Sequence, residues 1–311
     1  MIIKRFIICC ATLFVGTLVY AQKEAITPIG ILNISKEANP VKEVKQSEIK
    51  LISSVDKNIP EASAENKNTF ALIIANENYT QVTKVPYANN DGFVFSQYCN
   101  HTLGIPERNI RFIKDATSGM LREAINWLAD IMRVYGENAK VIVYYAGHGI
   151  PDEASRSAYL LPVDCSGKDK QVCYKLDDLY QKLGSSEAER ITVFIDACFS
   201  GSTRNNEVLS ANARGVALKA KPAQATGKMV VFTAASGDET AYPMATEGHG
   251  MFTYFLLKKL QETSGNVTYQ ELGSYLRQEV SRNSIVLNSK SQTPTVTAGQ
   301  SATNWEAWKM K

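Results

Sequence analysis

The chain has 311 residues, 44% hydrophobic and 21% charged, with 34 Lys and Arg against 31 Asp and Glu. Lys4 and Arg5 precede an apolar run from Phe6 to Val19, and Tyr20-Ala21 leads into Gln22. This is the layout of a signal peptide, so residues 1–21 are expected to be removed and the mature chain exported, to a periplasmic or extracellular location. Without those two cations, 32 basic residues face 31 acidic ones, which withdraws the electrostatic case for a nucleic-acid or membrane-surface role. The apolar run is shorter than a membrane span, and no later segment approaches that length.

Residues 22–68 are rich in Lys and Glu, poor in aromatics and broken by Pro28, Pro40 and Pro60. They read as an N-terminal extension, either a linker or a propeptide. From Thr69 the texture changes, and 69–311 is expected to form one domain. FALIIAN (70–76) predicts a strand, 93–103 a helix, NIRFI (109–113) a strand and 121–135 a helix. VIVYYA (141–146), ITVFID (191–196) and MVVFTA (229–234) are uniformly apolar, as strands buried on both faces must be. Apolar residues three and four apart return over 252–260 and 269–280, predicting two further helices. The fold class is α/β, a mainly parallel sheet flanked by helices.

In such sheets chemistry collects at the carboxyl ends of the strands. VIVYYA runs into Gly147-His148-Gly149, and ITVFID into Ala197-Cys198-Phe199-Ser200-Gly201. If the two strands are parallel neighbours about 4.8 Å apart, His148 and Cys198 emerge side by side. An imidazole beside a thiol raises its thiolate fraction and can later protonate a leaving amine. The backbone amides of Gly149 and Cys198 could complete the site as an oxyanion hole. Taken singly, a strand-end Gly-His-Gly can be only a turn, and a cysteine on a buried strand is usually inert packing.

Cys165 and Cys173 flank the polar loop SGKDKQV and are the best candidates for a disulfide in an exported chain. Cys99 sits among apolar and aromatic neighbours, as a core thiol would. The cysteine spacing lacks the close pairs of zinc sites, and neither HExxH nor GxSxG occurs.

The two motifs resemble those of the caspases, metacaspases and their bacterial caspase-like relatives, in which a His precedes the Cys signature by about 50 residues. YYAGHG and DACFSG carry the resemblance, supported by YLLPVD at 159–164, TAASGDETA at 233–241 and GHGMFTYFLL at 248–257. It implies a six-stranded sheet, peptide hydrolysis through a thioester, and a Cys198 and His148 dyad. Where animal caspases carry Gln two places before the nucleophile and bind an acidic side chain through arginines, this chain has Asp196, as metacaspases do. Asp91, within PYANNDGFVF, is similar to the Asn-Asp motif of metacaspases and by that analogy forms the other wall of the specificity pocket. Two carboxylates would favour a guanidinium or ammonium, so the expected partners are peptides or proteins with Arg or Lys at the cleavage point. The alternatives are a strand-end hydrogen-bonding role for Asp196 and helix capping for Asp91. Asp238 is a further candidate.

No cofactor is required by this reading. Calcium activates some metacaspases; their acidic loops are not convincingly reproduced here and Asn205 stands where an Asp would be sought, so calcium dependence stays open. His101 and His249 are expected to serve structure. The polar segment 201–228, with Arg204, Arg214, Lys219, Lys221 and Lys228, resembles the linker cut in caspases, and Lys57 and Lys67 offer similar cutting points in the extension. Two readings from other classes stay open: an idle caspase-fold interaction protein, and a thiol redox protein.

Overall fold

The computed structural model describes residues 53–200, 220–237 and 239–311. The signal sequence, most of the extension, Arg204, Asn205, Arg214, Lys219 and Asp238 lie outside the described residues.

Six strands form the central sheet: β1 (Thr69–Ala75), β2 (Ile110–Lys114), β3 (Lys140–Ala146), β4 (Arg190–Asp196), β5 (Met229–Thr233) and β6 (Thr295–Ala298). Their spatial order is β6-β5-β4-β3-β1-β2, all parallel except β6, which runs antiparallel to β5 at one edge. Every residue of β1 is buried, as is all of β3 and β4 after the first residue. Their uninterrupted apolar runs are what a strand covered on both faces demands.

Alternation along those strands divides the core in two. Ala71, Ile73, Ile142, Tyr144, Phe194 and Phe232 face one layer, with α1 (Ala88–Gln97), α4 (Met251–Thr263) and α5 (Tyr269–Asn288). Phe70, Leu72, Ile74, Val143, Ile195 and Val231 face the other, with α2 (Ser118–Tyr135) and α3 (Leu176–Gly184). Helix α5 starts with a capping box in which Thr268 and Glu271 satisfy each other's backbone amides. Gly92 lets α1 lie tight on the sheet, since a Cβ there would meet the Ala75 side chain at 2.5 Å.

Several boundaries differ from expectation for visible reasons. The helix predicted over 93–103 begins at Ala88 and passes at Tyr98 into a π turn ending at Thr102. Helix α5 continues to Asn288, although Ile285, Val286 and Leu287 are exposed and break the apolar stripe. Strand β6 was not anticipated, because TVTA is short and no residue in it is fully buried. A small antiparallel ribbon of Gly149–Pro151, Ala158–Leu160 and Tyr174–Lys175 follows His148.

The described part of the extension packs on the domain. Val55 is fully buried and its carbonyl accepts from the Tyr98 hydroxyl at 2.8 Å. The backbone amides of Ala62 and Asn66 donate to the carbonyls of His101 and Gly104. The described residues belong to one compact unit.

Candidate active site

Strands β3 and β4 are parallel neighbours whose register pairs Ala146 with Asp196. His148 and Cys198 therefore each stand two residues beyond a paired position. Past the strand ends the chains stay in contact, with the Gly147 amide donating to the Asp196 carbonyl at 3.3 Å. A Cβ on Gly149 would lie 2.7 Å from the Cys198 carbonyl oxygen and 2.5 Å from the Phe199 ring. Only a glycine allows the two segments to approach so closely. In the ribbon, the Leu161 amide donates to the His148 carbonyl, making 148 and 161 a hydrogen-bonded position, while Gly149 pairs with Leu160 at the next one. The alternation of an antiparallel ladder then turns the Gly149 N–H away from its strand partner.

His148 is held from several sides. Its N–H donates to the Tyr79 hydroxyl at 2.8 Å, its carbonyl accepts from the Tyr145 hydroxyl at 2.8 Å, and its ring lies 4.6 Å from that of Tyr79. Ring atom Nε2 is 2.7 Å from the Thr83 carbonyl. Burial pushes the Tyr79 and Tyr145 phenols well above their ordinary pKa, so both stay protonated donors. His148 and Cys198 are buried, at 2% and 4% exposure.

Asp91 and Asp196 are fully buried, and both are engaged at the start of α4. Asp196 Oδ2 accepts from the Thr253 hydroxyl at 2.6 Å. Since that hydroxyl's one proton faces Asp196, the Tyr144 hydroxyl donates to Thr253, 2.7 Å away. Asp91 accepts the Gly250 N–H at 3.1 and 3.0 Å and pairs with His249 Nδ1 at 2.8 Å. Gly250 is the N-cap of α4, so both carboxylates meet the positive end of that helix. Asp91 lies in the first turn of α1, and Tyr87, the N-cap of that helix, makes no side-chain capping bond.

The caspase domain family matches residues 68–304. That span exceeds half of the sequence. The chain belongs to the caspase domain family. Among solved structures, caspase-1 from Spodoptera frugiperda is similar at 16% identity and a TM-score of 0.54, covering 78% of this chain and 90% of that one. A protein from Geobacter sulfurreducens is similar at 15% identity and a TM-score of 0.57, covering 78% and 97%. At such identities the likeness is one of fold. No match was found among curated proteins. Membership nevertheless places this caspase-domain chain among cysteine peptidase hydrolases, a family that acts on proteins.

Around the caspase-like centre the structure adds residues that sequence reasoning passed over. His249, expected to serve structure, is fully buried, with Nε2 2.8 Å from Asp56 Oδ1. Burial alone would lower its pKa, but the hydrogen bonds and charges of Asp56 and Asp91 outweigh it and hold the imidazole up at about 9. Thr83 and Thr253 carry no motif that could have singled them out. Burial raises the Tyr242 phenol pKa, against a hydrogen bond with Thr240 that lowers it.

Cys99, Cys165 and Cys173 are free thiols in this caspase fold, so the bridge expected between Cys165 and Cys173 is absent. Cys165 donates to Asp164 Oδ1 at 3.5 Å and Cys173 to the Asp169 carbonyl at 3.4 Å. Burial pushes the two thiols up to about 12 and about 11, which keeps them protonated and unreactive. His101 pairs with Glu61 at 3.0 Å near the surface. Among the described residues no helix is long and apolar enough to cross a membrane, and no cluster of His, Cys, Asp and Glu has metal-site geometry.

Proposed function

We propose that this chain is an endopeptidase in which Cys198 is the nucleophile and His148 its proton-transfer partner, cutting after Arg or Lys. The observation that carries the reading is the contact of Gly149 with the Cys198 carbonyl, which brings the histidine and cysteine loops within van der Waals reach at the ends of paired strands. Thr83's carbonyl can only accept, so Nε2 of His148 holds a proton and Nδ1 is the nitrogen that exchanges one with the thiol. The Cys198 sulfur attacks the scissile carbonyl carbon, and the oxyanion is met by the N–H groups of Gly149 and Cys198. His148 passes its proton to the leaving amine, and water then hydrolyses the thioester. In the described conformation the dyad is covered, so substrate entry requires local opening.

Asp196 and Asp91 would form the acidic pocket for the Arg or Lys side chain, where a buried guanidinium gains most from paired carboxylates. Export through the N-terminal signal sequence and catalysis without a cofactor belong to the same proposal. Profiling a peptide library with the mature protein, with and without calcium, tests these points together. Cleavage confined to bonds after Arg and Lys is expected in both conditions. A preference for Asp would overturn the pocket, and slow iodoacetamide labelling of Cys198 unaffected by His148→Ala would favour an idle caspase-fold protein. Reduction of insulin disulfides would favour the redox reading.

A further inference from the structure

Asp91 takes a charged partner from the start of α4. Its charge is met by His249, which lies between Asp91 Oδ1 and Asp56 Oδ1 at 2.8 Å from each. Asp56 comes from the chain ahead of the first strand, inside a short 3-10 turn, Ser54–Asp56. That turn is pinned at four points. Ser53 and Asp56 form a capping box. The Ser53 hydroxyl donates to Glu247 Oε2 at 2.5 Å. Val55 is buried in the core. The Gln261 amide on α4 donates to the carbonyls of Ser54 and Lys57 at 3.2 and 2.7 Å. Beside the ring, the Asn90 side-chain amide donates to the Gly248 carbonyl at 3.1 Å.

A protonated His249 between two carboxylates leaves one net negative charge on the trio. Without Asp56, the histidine would keep only Asp91 to offset its burial, and the imidazole could lose its proton and turn. A turned imidazole would withdraw a charged hydrogen bond from Asp91 and loosen the hold on its orientation toward a substrate cation. Through Thr253, Asp196 is attached to the same first turn of α4, so a shift at His249-Gly250 would reach both carboxylates.

We propose that Asp56 and His249 are positioning residues that hold Asp91 for the substrate's basic side chain, making residues 53–57 a working part of the specificity pocket. This rests on the reading of Asp91 as a pocket wall. It also bears on maturation: a cut after Lys57 or Lys67 would disconnect Asp56 from the domain, so removal of the extension must stop before Ser53 if the pocket is to survive.

The test compares wild type with Asp56→Asn, which keeps shape and removes charge, on tripeptide aminomethylcoumarins ending in Arg or in norleucine. Iodoacetamide labelling of Cys198 and thermal unfolding are followed in parallel. The expected result is a fall in the Arg-to-norleucine kcat/KM ratio on the order of tenfold, carried by KM, as for loss of one hydrogen bond to a charged group. Asp56→Glu should restore part of the ratio. Equal losses on both substrates together with slowed labelling would mean a merely structural role and overturn the proposal, as would an unchanged ratio in a folded variant. If wild type itself shows no preference for Arg, the pocket reading fails, whatever Asp56→Asn does. Should Asp56→Asn not fold, Gln261→Ala, which loosens the same turn from a half-buried position, must lower the ratio in the same direction. An unchanged ratio there would overturn the proposal equally.

Discussion

His148 Nε2 and the carbonyl oxygen of Thr83 lie 2.7 Å apart. The contact does for the imidazole what an acidic third residue does elsewhere: it fixes the tautomer and the ring plane, and it adds no charge. In the proposed dyad the imidazole is thus oriented by a neutral group, and the chemistry would fall to Cys198, His148 and the two backbone amides.

Replacing the nucleophile gives the first prediction. Cys198→Ala should abolish turnover while leaving the thermal transition within a few degrees of wild type, because the change removes one buried sulfur. Intact-mass analysis of both proteins should show fragments ending at Arg204, Arg214, Lys219, Lys221 or Lys228 only where the thiol is present. Identical patterns would refute self-processing. Lys221 is the one of these best placed for comparison: it is exposed, and its N–H donates to the Arg156 carbonyl.

A second test needs no change in chemistry. Gly149→Ala would force a methyl to within 2.7 Å of the Cys198 carbonyl and 2.5 Å of the Phe199 ring. One loop must move, with a cost of about 1 to 3 kcal/mol for overpacking. Activity is expected to fall at least tenfold, with iodoacetamide labelling of Cys198 retained. Full activity in Gly149→Ala would remove that backbone from the oxyanion hole.

For Asp196→Asn, cleavage after Arg and Lys should drop by the equivalent of about 2 to 5 kcal/mol, the usual cost of truncating one side of a desolvated charge pair. The Thr253 hydroxyl can still donate to the amide oxygen, so α4 should keep its seat. If instead the melting temperature falls and selectivity is unchanged, Asp196 anchors α4 and does not read the substrate.

His249 predicts a pH dependence of stability. Its pKa of about 9 in the fold exceeds the ordinary 6.5, so folding favours the protonated form. The stabilisation is complete below about pH 6.5 and drains away as pH rises through about 9. At most it is on the order of 3 kcal/mol. Thermal melts of wild type and His249→Gln across pH 6 to 10 should converge at the alkaline end. A constant difference between them would contradict the ion-pair geometry.

The sheet was readable because four of its strands are buried on both faces and therefore carry uninterrupted apolar runs; β2, at one edge, was recognisable from NIRFI. Strand β6 and helix α3 escaped, the first being four half-covered residues and the second a nine-residue helix beside a ribbon. His148 and Cys198 were legible because each follows a strongly marked strand. The Asp56 and His249 pair was not. Its members are 193 residues apart in sequence, and nothing in SVDKN or EGHGM signals that one will lie against the other. Thr83 contributes only a backbone oxygen, which no side-chain pattern can announce. The Cys165 and Cys173 expectation came from an exported context and a short polar loop between the two, and packing gave each thiol its own oxygen acceptor.

Strands β4 and β5 lie side by side in the interior of the sheet, joined by five register pairs from Ile191 with Met229 to Ile195 with Thr233. The chain between them leaves after Cys198 and returns at Lys228. A nick there would yield two interleaved polypeptides, the first carrying β1 to β4 with His148, Cys198, Asp91 and Asp196, the second carrying β5, β6, α4 and α5 with His249 and Thr253. Pulling them apart would strip Phe194 from Phe232, whose rings stack at 5.0 Å, and take His249 from Asp91 and Thr253 from Asp196. A nicked molecule should thus travel as one body under native conditions and resolve into two bands only in denaturant.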